Sequence, residues 1–386
     1  MSNKYYSPYI DMTLPSDLGK LARQSGLSDF TLAFMQGRDS ELSGSGANAH
    51  LKQGVVPTLS WGGFAPDELP AQEIASQIEH IQANGGTITI SFGGYGGRDA
   101  AVIANQYSDN LQDGPKHYSE AKADRIAVNH LASEYQSVID TYGVSHLDFD
   151  IEPDTITGDQ KDLYDVVGDK AANHLRDLAI NKLKAANPDL EVSFTVATQP
   201  DGLPHDPSYI GGNVLGILKQ AKADHVDLDV VNIMAMDYFS GIKHPDMGQL
   251  AIDAAKATHK QLVHLGMGDV KVAITPMIGQ NDNWQDPKTS EVFTLEDARQ
   301  VTAFAAKTSW IAGIGMWELP RDMAATKDTT DHEPTSHRSG VIQDQWEFSS
   351  IFDQVSGHPS AAGDDQFVFD QSIFGGQNLL QSEFLL

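Results

Sequence analysis

Short apolar segments, rich in β-branched and aromatic residues, recur along this chain and alternate with stretches of helical spacing. They predict strands at residues 6–10, 31–35, 55–60, 87–92, 146–151, 191–198, 229–236, 270–275 and 314–317. Several segments are almost entirely apolar, which is typical of parallel strands covered on both faces. The set holds one strand more than an eight-stranded barrel needs, and segment 55–60 is the weakest strand pattern among them.

The stretches between these segments carry apolar residues at three- and four-residue spacing. In 119–142 these residues are Leu131, Tyr135, Val138 and Tyr142, and Gly143 follows as a helix stop. Further helices are predicted at 161–186, 214–223, 252–265 and 295–307. Alternation of strands and helices favours an α/β fold with a parallel sheet.

Long irregular segments follow several predicted strands, at residues 37–50, 93–115, 153–159, 199–213 and 239–248. In a (β/α)8 barrel, such loops form the face that carries the active site. An open doubly wound sheet also places its site at the strand ends, but no Gly-rich phosphate loop follows the first strand here. We therefore expect a (β/α)8 TIM barrel over residues 1–355, followed by a linker-like tail at 356–386.

The composition excludes several classes of protein. There are 53 Asp and Glu against 26 Lys and Arg, giving a formal charge of −27, so nucleic acid is not an expected partner. The absence of cysteine excludes disulfides, thiolate nucleophiles and Cys-bound zinc. No apolar run is long enough to predict a membrane span, and the first residues show no signal-peptide core.

Three carboxylates, Asp148, Asp150 and Glu152, are spaced two residues apart at the end of the predicted strand 146–151. Side chains at that spacing share one face of a strand, so the three converge. Crowded like charges raise a carboxyl pKa, and we expect the outermost, Glu152, to carry the proton of a general acid. A cation site is the alternative, as is a solvated run of charge. The residues between the acids are apolar, so no metal or cofactor is predicted.

Aromatic residues and glycines near the predicted strand ends suit a carbohydrate site. Trp317 closes the last predicted strand and offers a face for a sugar ring, although core packing explains a tryptophan there equally well. Trp61 and Trp284 lie in or beside predicted loops, where exposed aromatic rings also suit sugars. Gly93 and Gly94 mark a sharp turn or a close approach of the backbone.

Four motifs, taken in order, resemble strand motifs of glycoside hydrolase family 18, the chitinases. They are Ser91-Phe-Gly-Gly94, His146-Leu-Asp-Phe-Asp-Ile-Glu152, Met234-Ala-Met-Asp-Tyr238 and Met316-Trp-Glu-Leu-Pro-Arg-Asp322. Residues 275–282, which include Gln280, are similar to a bacterial subgroup of that family. Two positions depart from the family pattern, because Ser145 stands where an aspartate is usual and Met236 where a tyrosine is usual.

The resemblance implies a retaining, substrate-assisted hydrolysis of the β-1,4 bonds between N-acetylglucosamine units. It gives Glu152 the role of acid, Asp150 that of orienting the acetamido group of the sugar, and Asp148 that of sharing a proton with Asp150. Asp237 and Tyr238 then bind the acetamido group together. Together with the aromatic residues near the loops, the predicted substrate-binding residues are Trp317, Met236, Gly93, Gly94, Trp61, Trp284 and Gln280.

Two other functions share parts of this pattern. An endo-β-N-acetylglucosaminidase that acts on N-glycans has the same acid motif. A chitin-binding lectin has the same fold but usually lacks the catalytic glutamate, which this chain keeps. Residues 276–313 are too few for the α+β insertion domain that walls the groove in some family members. An open groove and endo action on chitin or chito-oligosaccharides are therefore expected.

The tail predicts an extracellular location without a classical N-terminal signal. Its end, Glu383-Phe-Leu-Leu386, resembles signals that one-step ABC exporters read, and an extracellular polymer requires a route of export. The alternative is a clasp that packs on the barrel. The sequence gives no oligomeric state.

Overall fold

Parallel strands curl into an eight-stranded barrel, which confirms the predicted (β/α)8 fold. The computed structural model describes residues 4–14, 17–44, 50–65, 69, 71–152, 169–205, 212–283, 289–325 and 334–357. The strands in these residues are β1 (Tyr5–Tyr6), β2 (Tyr9–Asp11), β3 (Phe30–Gly37), β4 (Leu42–Ser43), β5 (His50–Leu51), β6 (Leu59–Trp61), β7 (Ile88–Gly93), β8 (His146–Asp150), β9 (Glu191–Ala197), β10 (Val230–Ala235), β11 (Lys271–Pro276), β12 (Gly279–Gln280), β13 (Val292–Phe293) and β14 (Ile311–Ile314). The barrel consists of β1 with β2, then β3, β7, β8, β9, β10, β11 and β14 in that order.

The first barrel strand is split in two at Pro8, which has no N–H to donate. Its first half, β1, pairs with β14, and its second half, β2, pairs with β3, both in parallel. The backbone N–H groups of Ser7 and Tyr9 each donate to a carbonyl of the 314–316 segment at 3.0 Å. The split strand therefore joins the last strand to the second and closes the barrel.

The side chains of the barrel strands divide between an outer apolar layer and a polar interior. In β9, Val192, Phe194 and Val196 alternate with Ser193 and Thr195, as the period of a strand requires. The ring of Phe194 lies 6.1 Å from that of Phe149 in β8, which in turn contacts Tyr135 on the fourth helix. The apolar residues thus face the helices, while the hydroxyl residues face the barrel axis.

The helices of the described residues surround the barrel. They are α1 (Leu18–Ser25), α2 (Ala71–Ala83), α3 (Ala100–Asp113), α4 (Glu120–Tyr142), α5 (Lys170–Ala186), α6 (Val214–Ala223), α7 (Met247–Leu265), α8 (Leu295–Lys307) and α9 (Glu347–Phe352). The Asp99 side chain caps α3, and Gly143 ends α4 in the left-handed conformation at φ 62°. Within the described residues, none of these helices has the length and apolar character needed to cross a bilayer.

Several predicted elements are confirmed in place, and others differ. The predicted helices 214–223 and 295–307 match α6 and α8. The segment 93–115, predicted as irregular, contains α3, and the last strand ends at Ile314 rather than at Trp317. Of the weak strand pattern at 55–60, only the last two residues lie in a strand, β6, which pairs with β3 in the antiparallel direction and stands outside the barrel.

The segment between β11 and β14 is short, as the sequence predicts. Its described residues hold a two-stranded ribbon of β12 and β13, followed by α8. No α+β insertion domain is present among them. Residues 358–386, which include almost all of the predicted tail, lie outside the described residues, and so does the stretch 153–168.

Candidate active site

Asp148 lies inside the barrel and accepts hydrogen bonds from four hydroxyl groups. Its Oδ2 accepts from Tyr9 at 3.0 Å and from Ser91 at 2.7 Å. Its Oδ1 accepts from Ser193 at 2.5 Å and from Thr195 at 2.8 Å. The strand register explains the arrangement, since Ser91 and Ser193 are the partners of Asp148 on the two neighbouring strands. Four donors on one buried carboxyl suit an ionised carboxylate.

A further polar layer directs these hydroxyls toward Asp148. The side-chain amide of Asn232 donates to the Tyr9 hydroxyl at 3.1 Å and to Thr195 Oγ1 at 2.9 Å. The hydroxyl of Thr275 donates to Asn232 Oδ1 at 2.8 Å. Because Tyr9 and Thr195 already accept from Asn232, their own hydrogens are left to point at Asp148.

Asp150 is the next carboxyl along the same face and is 4% exposed. Burial raises its pKa well above the usual value, and the charges of Glu152 and Asp148 raise it further. A hydrogen bond to the Glu152 side chain acts in the same direction. Asp150 is therefore protonated at neutral pH and donates to Glu152. Its Oδ1 is buried and has no hydrogen-bond partner among the described residues.

Glu152 follows the strand and is partly exposed at its carboxyl end. Burial raises its pKa to about 7. Hydrogen bonds from Asp150 and from the backbone N–H of Tyr95 lower the pKa, whereas the charges of Asp237 and Asp282 raise it. A carboxyl with this pKa holds a proton near neutrality and still releases it readily, as a general acid must.

Gly93 and Gly94 turn the chain after β7 so that it reaches the carboxyls. Both have positive φ, at 100° and 87°, a region that glycine enters without strain. A Cβ on Gly93 would lie 2.2 Å from the Asp150 carbonyl oxygen, and one on Gly94 would lie 2.7 Å from the Phe34 ring. This turn places the next residue, Tyr95, where its N–H donates to Glu152.

Trp317 lies beside the carboxyl cluster on an aromatic support. Its ring stacks on Phe34 at 5.8 Å between centroids and 21° between planes. It also lies 6.0 Å from the ring of Tyr9, which donates to Asp148. Trp317 is partly exposed, so part of its ring is open to a ligand. An aromatic surface of this kind can pack against the apolar face of a sugar ring.

Asp237 is held near Glu152 by the ribbon of β12 and β13. Its Oδ1 accepts from the N–H of Asp282 at 2.9 Å, and its own N–H donates to the Asn281 side chain at 3.0 Å. The pKa of Asp237 is raised to about 7, mainly by burial and then by the charge of Asp282. The buried carboxylate of Glu291 accepts from the N–H groups of Tyr238 and Ser240 at 2.9 and 3.0 Å.

Known proteins similar to this chain are chitinases by name. No protein-family model matches the sequence. The chain is 29% identical over 369 residues to a probable bifunctional chitinase/lysozyme of Escherichia coli K12, covering 90% of this chain and 34% of that protein. It is 26% identical over 339 residues to endochitinase 11 of Metarhizium anisopliae, covering 83% of this chain and 53% of that protein. The chain therefore spans between a third and about half of the length of these curated relatives.

Solved structures share the barrel. The catalytic domain of a hyperthermophilic chitinase from Pyrococcus furiosus superimposes with a TM-score of 0.67 at 24% identity, covering 92% of this chain and 96% of that chain. The chain resembles the family 18 chitinases. The predicted resemblance to chitinases and the predicted barrel are thus confirmed, and the bacterial subgroup stays a prediction.

Two of the predicted aromatic contacts are buried in this barrel. Trp61 is 2% exposed, and its indole N–H donates to the Tyr142 hydroxyl at 2.8 Å, so it is a core residue and not a sugar platform. Tyr238 is 3% exposed and belongs to the hydrophobic core. The backbone turns at Asp237, where φ is 47°, and this turn places Tyr238 in the core and Phe239 at the surface.

The remaining predicted contacts lie in different surroundings. Met236 is partly exposed beside Asp237 at the end of β10. Gln280 lies in β12, where its side chain donates to the Gly340 carbonyl at 3.2 Å. Trp284 lies outside the described residues.

The structure also brings residues into the site that sequence reasoning did not select. They are Tyr9, Phe34, Ser193, Thr195, Asn232, Asn281 and Glu291. A signal was present for two of them, because Ser193 and Thr195 are the polar residues of an otherwise apolar strand. Asn281 lies within the stretch 275–282 that the resemblance marked, whereas Glu291 gave no signal, since its partners are backbone N–H groups on a distant loop.

Proposed function

We propose that this chain is a glycoside hydrolase that cleaves the β-1,4 bonds between N-acetylglucosamine units of chitin. The observation that carries the proposal is Glu152, a carboxyl with a pKa of about 7 at a barrel strand end, hydrogen-bonded to a protonated Asp150. The fold supports the proposal, because barrel enzymes react at this face. The names of the similar proteins and the exposed part of Trp317 support chitin as the substrate.

Chito-oligosaccharides are the proposed soluble ligands. One structure of the P. furiosus chitinase domain, at 24% identity and a TM-score of 0.66, is described as a complex with chito-oligosaccharides. The unpartnered Oδ1 of Asp150 supports an N-acetylated sugar, because it can accept the amide N–H of an acetamido group.

The surroundings of the carboxyls favour a retaining mechanism in which the substrate supplies the nucleophile. Asp148 is occupied by four donors, and Asp150 is neutral, so neither presents a free carboxylate to the anomeric carbon. Glu152 gives its proton to the glycosidic oxygen, and the acetamido oxygen bonds to the anomeric carbon as the leaving sugar departs. Glu152 then takes a proton from the water that opens this intermediate.

The decisive variant is Glu152→Gln, which keeps the shape of the side chain and loses the transferable proton. We expect its rate on chito-oligosaccharides to fall by about a hundred- to ten-thousand-fold, with oligosaccharide binding retained. Glu120→Gln, on the exposed first turn of α4, is the matched control and should behave as wild type. NMR of the first products should show the β-anomer.

Three results would refute the proposed function. They are more than half of wild-type activity in Glu152→Gln, an α-anomer as first product, and release of glycans from a glycoprotein without any cleavage of chitin.

The short segment between β11 and β14 supports endo action. Its described residues form only the small ribbon and α8, so no insertion domain walls the groove there. An open groove can bind the middle of a polymer. We expect the viscosity of a soluble chitin derivative to fall steeply while few reducing ends have formed. Disaccharide release from the first time points with little change in viscosity would contradict endo action.

A further inference from the structure

His146 is the first residue of β8 and points into the barrel two residues before Asp148. Its Nε2 lies 3.1 Å from Ser193 Oγ, and its Nδ1 lies 3.1 Å from Thr89 Oγ1. Its side chain is 13% exposed. The ring of Tyr5 meets it edge-on at 6.4 Å and 75°. His146 is therefore a partly buried histidine with both ring nitrogens engaged.

The hydrogen-bond partners fix which nitrogen of His146 carries the hydrogen. Ser193 has one hydroxyl hydrogen, and it goes to Asp148 Oδ1. Toward His146 the Ser193 oxygen can therefore only accept, so Nε2 is the donor and Nδ1 accepts from Thr89. The donations run in one direction, from Thr89 through His146 and Ser193 to Asp148. In such a chain each bond polarises the next.

The charges around the ring act in opposite directions on its protonation. Burial lowers the pKa of His146, and the charges of Asp148, Glu191 and Asp229 raise it, while Lys184 lowers it. Tyr5 is the other titratable side chain against the ring. Since burial is the largest of these influences, His146 is neutral at neutral pH, in agreement with its position as both donor and acceptor.

A polar cavity surrounds this chain of hydrogen bonds. Its volume is about 20 Å³, room for roughly one water molecule, and it reaches from His146 and Thr89 up to Asp148. Its other walls are also mostly hydroxyl and amide side chains, among them Thr31 and Asn232. Bulky branched residues usually fill this level of a barrel. A polar filling is costly unless it is hydrogen-bonded, and here the described bonds converge on Asp148.

We propose that His146 is a positioning residue that acts on Asp148 through Ser193. Its Nε2–H fixes the Ser193 hydroxyl and strengthens the hydrogen bond from Ser193 to Asp148. A better stabilised charge on Asp148 keeps the proton on Asp150, which in turn donates to Glu152. This inference rests on the proposed function, because it assigns His146 an effect on the same reaction from below the site.

The first test compares variants at position 146. His146→Phe keeps the ring volume beside Tyr5 and removes both hydrogen bonds, and it should lower kcat by about tenfold with KM within about twofold. Its pH–rate profile should also differ from that of wild type, because the proton on Asp150 is then held less firmly. His146→Gln can donate to Ser193 and accept from Thr89, and it should restore kcat to within about threefold of wild type. His264→Leu, on the exposed end of α7, is the control and should leave both kcat and the pH–rate profile unchanged.

The second test asks whether Ser193 transmits the effect. In a Ser193→Ala background, His146→Phe should lower kcat by less than about twofold, because the link to Asp148 is already gone. Equal losses in the two backgrounds would overturn the proposal, and so would a wild-type pH profile for His146→Phe. If His146→Phe does not fold, His146→Gln and Ser193→Ala test the proposal in its place. A Ser193→Ala protein with the kcat and the pH–rate profile of wild type would overturn the proposal.

A readout without substrate separates this proposal from the proposed function. Carboxyl carbons of a 13C-labelled protein can be titrated by NMR in the wild type and in His146→Phe. A shifted titration of the Asp150 signal supports the His146 link even if the protein cleaves no chitin. An unchanged titration together with chitin cleavage overturns the His146 link and leaves the proposed function standing.

Discussion

The three carboxyls at the end of β8 have the same chemistry and three different surroundings. Asp148 accepts hydrogen bonds from four hydroxyl groups. Asp150 is buried beside two neighbouring charges, and Glu152 lies at the carboxyl end of the strand with a pKa of about 7. Such surroundings separate the pKa values of groups that would be equivalent in water. The division of labour between acid, proton holder and fixed charge therefore follows from burial and donors rather than from residue type.

The proton affinity of Glu152 should depend on two aspartates outside β8. The charges of Asp237 and Asp282 raise its pKa, so Asp237→Asn and Asp282→Asn should each lower it. Because Glu152 must be protonated to act as acid, the basic limb of kcat/KM, expected near pH 7, should move to lower pH in both variants. The larger shift is expected for Asp237→Asn, whose charge has the stronger effect.

A pH–rate profile for each variant measures these shifts. Asp189→Asn, exposed before β9 at the opposite end of the barrel, is the matched control and should leave the limb in place. The effect of Asp282→Asn should shrink at high salt, because Asp282 is exposed and its charge is screened. A basic limb that moves to higher pH in Asp237→Asn would show that the sign of the coupling is wrong.

Sequence reasoning was successful for residues whose position follows from strand geometry. The two-residue spacing of Asp148, Asp150 and Glu152 predicts their convergence, and the structure places Asp150 and Glu152 in contact through their side chains. The prediction that Trp61 contacts a sugar was wrong, because that ring is buried against Tyr142, which is 81 positions away in the sequence. Tyr238 is in the core for a similar reason, since the turn at Asp237 is not visible in a motif.

At the scale of elements, the ribbon of β12 and β13 fixes the loop that carries Asp237. The two carboxylate oxygens of Glu291 each accept one backbone N–H of that loop, from Tyr238 and from Ser240. In Glu291→Gln one of these N–H groups faces an amide –NH2 instead of an acceptor. We expect the free energy of unfolding to fall by about 2 kcal/mol and kcat to fall with it, because Asp237 loses its support.

Urea titration and hydrolysis of chito-oligosaccharides measure the two effects in the same preparations. Glu296→Gln, exposed in the first turn of α8, is the control for loss of a glutamate charge nearby. A less stable Glu291→Gln protein with wild-type kcat would mean that the ribbon supports the fold alone and not the site.

The elements that the sequence did not predict share a physical cause. The helix α3 begins with small apolar residues, and Asp99 caps its N-terminus by accepting from Ala101 and Val102. The segment 93–115 was predicted to be irregular, yet Gly93 and Gly94 form a turn only at its start, and α3 follows that turn. The last strand ends at Ile314, and Trp317 forms only an isolated bridge to Met277. Strand ends of this kind depend on neighbouring strands, whose register a sequence does not show.

At the scale of the whole molecule, several buried carboxyls have raised pKa values. Besides the site residues Asp150, Glu152 and Asp237, burial raises the pKa of Asp322 to about 6 and that of Glu318 to about 8. Each of these groups holds a proton more tightly in the folded than in the unfolded chain. Their contribution to stability is therefore full at acid pH and is lost as the pH rises through the folded pKa values.

Asp177 isolates this effect away from the site. It lies in α5 and is 1% exposed. Burial raises its pKa to about 8, the charge of Arg176 lowers it, and the charge of Asp224 and a hydrogen bond to that side chain raise it. An unfolded aspartate has a pKa near 3.9, so between about pH 4 and pH 8 only the folded chain binds this proton. Folding should therefore weaken with rising pH across that range.

The asparagine of Asp177→Asn is neutral at every pH, so this variant should lack the part of the pH dependence of the free energy of unfolding that comes from Asp177. Between about pH 5 and pH 8 the wild-type free energy of unfolding should fall relative to the variant by up to about 4 kcal/mol, since each pH unit costs about 1.4 kcal/mol. The variant should thus be the more stable protein at about pH 8, where wild type must keep a buried proton or bury a charge beside Asp224. Urea unfolding at a series of pH values measures the two curves, with Asp189→Asn as the exposed control. Parallel curves for wild type and Asp177→Asn would show that Asp177 is ionised in the folded chain and that its proton does not stabilise the packing of α5 on α6.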